Sequence, residues 1–188
     1  VQSIAFISSR EVRVSGRIWQ RYEDGLHSGV VKGFLIPQAD SLDVEESYRR
    51  RVDDAEVVGW TFKAVLDQSA DYSRFPFVEE IIRIPIWPKD LQHNVLLVPD
   101  LEAYPLIRPS ARPVILDGQV LPNWDIEATR FSYAPRSSKA QFGFDASAAL
   151  SSLPELHFDI IGKKQIVGPL ITYLLPLGVV LIMLFGLL

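Results

Sequence analysis

The sequence predicts a mainly β chain: an antiparallel sandwich or barrel over residues 1–165, followed by one C-terminal transmembrane helix over residues 166–188. Three observations predict it. Short alternating runs of apolar and polar residues recur between turn-forming clusters such as GLHSG, WPKD, RPSARP, LDGQ and YAPRSS. No helical pattern separates those runs, which removes a parallel sheet built from βαβ units. The final run, 166–188, carries no charge, and a helix of that length crosses about 30 Å of hydrocarbon.

Taken in order, residues 11–22 (EVRVSGRIWQRY) set Val12, Val14, Ile18 and Tyr22 against Arg13, Ser15, Arg17 and Arg21, with Gly16 expected to mark a bulge. Residues 30–36 form a second strand closed by Pro37. Residues 41–55 contain EESYRRRVDD, have poor apolar spacing, and read as a surface loop or a short helix. Residues 57–66 (VVGWTFKAVL) form a third strand and 80–87 (EIIRIPIW) a fourth, which Pro85 places near an edge. Strands over 94–98 and 126–133 follow, and the last, 156–161 (LHFDII), runs almost directly into the apolar helix. Within that helix Pro176 kinks the chain and frees a carbonyl that a neighbouring helix or water must satisfy, which points to a bundle rather than a lone anchor. Lys163 and Lys164 precede the span, and taken alone they would place the soluble part in the cytoplasm. The chain begins inside a strand and ends inside the apolar run, so both ends are expected to be cuts in a longer protein.

The net charge of -4 argues against a nucleic-acid partner. The absence of cysteine excludes disulfides, thiolate metal sites and a cysteine nucleophile. His27, His93 and His157 lie too far apart for zinc-ligand spacing. The acids Asp40, Asp43, Glu45, Glu46, Asp53 and Asp54 lack the glycine and the spacing of a calcium loop. No nucleophile elbow, phosphate loop or HExxH motif occurs. The expectation is therefore no enzyme, no catalytic residue, no cofactor and no metal. Trp19, Trp60 and Trp124 sit at strand positions and are expected in the core. Trp87 precedes Pro88 at a strand end and is the candidate for an exposed recognition aromatic.

Four stretches, in order, resemble the ligand-binding domain of the pentameric ligand-gated ion channels, especially the bacterial ones. Residues 59–77 (GWTFKAVLDQSADYSRFPF) resemble a strand followed by the family's aromatic-proline-aromatic signature loop, here Phe75, Pro76 and Phe77. Val78 stands where an aspartate is usual, and the flanking cysteines are absent, as in bacterial members. Residues 94–103 (NVLLVPDLEA) are similar to the strand after the second binding loop, and 123–133 (NWDIEATRFSY) to the strand leading into the capping loop. Residues 156–188 are similar to the last strand joined directly to the first membrane helix. The likeness runs from Trp60 to Leu188; between Phe34 and Trp60 the family has several more strands, so the N-terminal half is shortened.

The resemblance implies an immunoglobulin-like β-sandwich that senses a ligand and passes motion directly to the membrane helix. Phe75, Pro76 and Phe77 would be the coupling loop; the alternative is a proline-fixed turn whose phenylalanines fill the core. Trp87, with Phe131, Tyr133 and Phe142 around loop 134–141, would bind an unidentified small molecule at a subunit interface, where aromatic faces attract a cationic or amphipathic ligand. Ordinary strand aromatics beside a loop are the competing reading. The implied partners are the lipid bilayer and further copies of the chain, with a pentamer favoured. The implied location is the inner membrane of a cell, with the sandwich on the periplasmic or extracellular side. A membrane-anchored signalling receptor and a structural subunit of a larger membrane complex remain open.

Overall fold

A computed structural model of the chain describes residues 1–8, 10–68, 79–103, 124–135, 153–164 and 167–187. Among the described residues eight strands form two four-stranded antiparallel sheets. The first contains β1 (Ser3–Phe6), β2 (Glu11–Glu23), β4 (Ala39–Val52) and β5 (Ala55–Asp67), in the order β1-β2-β5-β4. The second contains β3 (Phe34–Leu35), β6 (Glu79–Pro88), β7 (Trp124–Pro135) and β8 (Pro154–Lys164), in the order β3-β6-β8-β7. A helix, α1 (Val167–Gly186), follows β8 after two residues.

The sheets face each other because alternate residues on each are apolar. Val12 and Val14 of β2 and Val58, Phe62 and Leu66 of β5 meet Ile82 and Ile84 of β6 and Phe158 and Ile160 of β8. Phe34 of β3 points edge-on at Trp60 and Phe62, with centroids 6.1 and 5.9 Å away. At the opposite side Phe6 of β1 packs on Trp124 of β7 at 5.3 Å. Trp60 is core, as expected, whereas Trp19 and Trp124 are only partly buried.

Several expectations are corrected. Residues 41–52 are neither loop nor helix but most of β4, which pairs along the whole of β5, and Asp53 and Asp54 form the turn between the two strands. β4 lies at the edge of its sheet and is exposed along most of its length, so no apolar alternation is needed, and its charges discourage pairing with another chain. The strand over 30–36 shrinks to Phe34–Leu35, because Gly33 adopts φ 125° and the Val31 amide is taken by Asp90 at 2.8 Å. Residues 94–98 form no strand; they run irregularly into a short 3-10 turn at Leu101–Ala103. Gly16 stays in register opposite Phe62, whose ring fills the space a Cβ would take, at 3.0 Å. The bulges lie instead between Ala39 and Ser41, between Glu46 and Tyr48, and between Ile126 and Ala128.

One end of the two sheets gathers the C-terminal connections. Asp67 of β5 lies opposite Glu11, and the start of β6 at Glu79 lies opposite Lys163, next to the end of β8. The signature triplet Phe75, Pro76 and Phe77 lies outside the described residues, but the two strands that flank it, β5 and β6, end and begin here. α1 contains Pro176, and its described apolar side chains are exposed, Ile182 74% and Phe185 84%. Among the described residues no helix is long and apolar enough to cross a membrane, so the span expected over 166–188 is not shown.

Candidate ligand cavity and the polar face of β8

At the end away from α1 the sheets part around a cavity of about 330 Å³. β2 gives it Ile18, Gln20 and Tyr22; β6 gives Ile84 and Ile86; β7 gives Phe131, and β8 gives Leu156 and Phe158. β1 has stopped pairing with β2 at Ser15, which leaves the rest of the β2 edge beside the opening. Residues 95–100 close that side. Two bonds hold this strap: Trp19 Nε1–H donates to Asp100 Oδ2 at 3.3 Å, and the Tyr133 hydroxyl donates to the Leu97 carbonyl at 2.9 Å. An apolar lining with a few polar groups at its rim, at this size, suits a small molecule.

The rim is fixed by a hydrogen-bonded knot. The Tyr22 hydroxyl donates to Gln20 Oε1 (2.6 Å) and accepts from the Gly33 amide (2.9 Å), while Gln20 Nε2 donates to the Gly33 carbonyl (3.2 Å). Burial raises the Tyr22 pKa against the opposing pull of the Gly33 amide and Arg49. Lys32 lies 5.3 Å from the Tyr22 ring centre and pairs with Glu56, which also takes Arg49 at 2.8 Å. Asp90 anchors the neighbouring loops by accepting from the amides of Val31, Gln92 and His93 and from His93 Nδ1. Burial would raise its carboxyl, but these four bonds outweigh burial and hold it well below the usual carboxylate range.

The opposite face of β8 is polar and equally buried. Glu155, His157 and Asp159 alternate with Leu156, Phe158 and Ile160. Trp87 Nε1–H donates to Glu155 Oε2 at 2.7 Å, and the other Glu155 oxygen pairs with His157 Nε2. Asp159 accepts from Arg83 Nε (2.8 Å), Arg130 Nε (3.2 Å) and Ser132 Oγ (3.0 Å). Burial pushes the Asp159 carboxyl up; the bonds from Arg83, Ser132 and Arg130 prevail and hold it below its ordinary value.

The structure separates the residues singled out in the sequence. Phe131 lines the cavity against Phe158, at a centroid distance of 5.1 Å, and Tyr133 is tied to the strap. Burial raises the Tyr133 pKa. Trp87 is not an exposed recognition aromatic: it is 4% exposed and bonded to Glu155 on the far face of the sheet. Phe142 lies outside the described residues. Pro176 lies within α1. Sequence reasoning missed the polar row of β8, although Glu155, His157 and Asp159 at a spacing of two are a visible signal. It also missed Arg83 and Arg130, which nothing in the sequence brings together. Among the described residues no group of His, Asp or Glu is arranged to hold a metal ion. No family model and no curated protein matches the chain.

Proposed function

We propose that this chain is the ligand-sensing β-sandwich of a membrane protein built on the plan of the pentameric ligand-gated ion channels, standing outside the cytoplasm. A small molecule entering the cavity would set the separation of the sheets, and α1, as the first membrane helix, would follow. The observation that carries the reading is the path of β8. Its residues Leu156 and Phe158 line the cavity, and its last residue, Lys164, stands two residues from the start of α1. Six residues of strand span about 20 Å, so a shift of β8 at Phe158 would travel along hydrogen-bonded sheet as far as Lys164, two residues before the helix.

Two further features support it. The connection from β5 to β6, which carries Phe75, Pro76 and Phe77, leaves and re-enters the sheets at the end where α1 begins. The apolar run 166–188 is uncharged throughout, and the described side chains of α1 find no protein face to bury against; a water-borne helix would hide one side. The testing experiment is particle imaging of the protein extracted in detergent. Five-fold rings are expected. A protein that stays in the aqueous supernatant without detergent, as a monomer, overturns the proposal.

A further inference from the structure

A second binding feature lies outside the cavity, on the outer face of the β3-β6-β8-β7 sheet, and owes nothing to the reading above. Arg83, Asp159 and Arg130 occupy one row across β6, β8 and β7, each arginine directly opposite the aspartate. Neighbouring strands lie about 4.8 Å apart, which puts the two arginine backbones about 10 Å from each other. Both side chains lean inward to the same carboxylate, and both use only Nε to reach it. Asp159 is wholly buried, whereas the arginine side chains are 47% and 48% exposed. Their Nη groups have no partner among the described residues. Two guanidinium groups are thus held side by side on a rigid base with their donor forks turned outward.

The charge and the surroundings narrow what would fill this clamp. Two arginines against one aspartate leave a single positive charge, which a monoanion neutralises and a doubly charged phosphate would exceed. A guanidinium fork matches the two oxygens of a carboxylate. One step along the same face, towards α1, Ile81 of β6 lies opposite Ile161 of β8, and Ile81 is 45% exposed. We infer that Arg83 and Arg130 bind the carboxylate of a small monocarboxylic acid whose apolar body lies over Ile81 and Ile161. The bulge between Ile126 and Ala128 makes this possible, because it turns Arg130 and Ser132 to the outer face.

The test is titration of the full chain in detergent with sodium benzoate, followed by calorimetry and by thermal unfolding. Benzyl alcohol serves as the uncharged control and inorganic phosphate as the charged one. Saturable benzoate binding that raises the melting temperature is expected, with no saturable effect of benzyl alcohol and weaker binding of phosphate. Arg83→Gln and Arg130→Gln should each weaken benzoate at least tenfold, since each removes a charge-assisted pair. Each variant leaves Asp159 with Ser132 and the other arginine, so folding should survive. Ile81→Glu keeps both arginines and changes only an exposed position; its own carboxylate should occupy the clamp and abolish benzoate binding. The inference is overturned if wild-type protein shows no saturable benzoate effect or prefers phosphate. It is also overturned if Ile81→Glu, or the doubly substituted arginine variant, binds benzoate as the wild type does.

Discussion

Gly59 lies on the outer face of β5, directly opposite Tyr48 of β4, and the tyrosine ring covers it. A Cβ at this position would meet three ring atoms at 2.2, 2.5 and 2.7 Å. Two effects oppose each other when Gly59 becomes alanine. Restricting the unfolded backbone favours the variant by about 0.5–1 kcal/mol. Driving the ring off the strand is an overpacking cost of about 1–3 kcal/mol. The second is larger, so Gly59→Ala should destabilise the protein by about 1 kcal/mol. In a Tyr48→Ala background the ring is gone and only the first effect remains, so the same change should stabilise. Denaturant unfolding of the four proteins measures the coupling, and an effect of unchanged sign in the two backgrounds would show that the ring does not rest on Gly59.

The elements show how a single residue decides which face a strand presents. In β7, Ile126 faces the core, and with strict alternation Arg130 would face it too. The bulge inserts Glu127, and beyond it Thr129 and Phe131 turn inward while Arg130 and Ser132 turn to Asp159. Deleting Glu127 removes only the unpaired residue and leaves Ile126 opposite Gly162 and Arg130 opposite Asp159, so Asp159 should keep its partners and the loss should stay within about 1 kcal/mol. Glu127→Ala keeps the bulge and loses only an exposed contact with Lys163 at 3.9 Å, which should cost less than about 1 kcal/mol. Thermal unfolding of both variants would check this, and a much larger loss on deletion would mean that the register beyond Ile126 needs the extra residue. Strands over 11–22, 57–66, 80–87 and 156–161 were legible because one face of each is apolar. β4 was not, since an edge strand is held by its backbone pairing with β5 and needs no apolar stripe. Residues 94–98 looked like a strand because they are apolar, but they serve as a strap held by Trp19 and Tyr133. In the site, Phe131 lines the cavity and Tyr133 ties its strap, whereas the sequence placed both beside a pocket between subunits, not within one chain. Trp87 was misplaced, because its burial depends on Glu155, a residue sixty-eight positions away.

At the scale of the molecule, the cavity and α1 stand at opposite ends of the sheets, and β8 joins them. If α1 lies in a bilayer, the two ends must meet different solvents, and this can be tested without knowing the ligand. The chain has no cysteine, so each introduced thiol is the only one present. Leu96 on the strap and Ile182 in α1 are both exposed side chains, and neither is part of the packed core. A water-soluble maleimide depends on thiolate, which forms in water and is suppressed in hydrocarbon. In isolated membranes Leu96→Cys should label at the rate of an ordinary surface thiol. Ile182→Cys should stay unlabelled until detergent or denaturant is added. The pair controls for expression and reagent quality, since both variants carry the same single thiol chemistry. Rapid labelling of Ile182→Cys in intact membranes would place α1 in water, and β8 would then have no membrane helix to move.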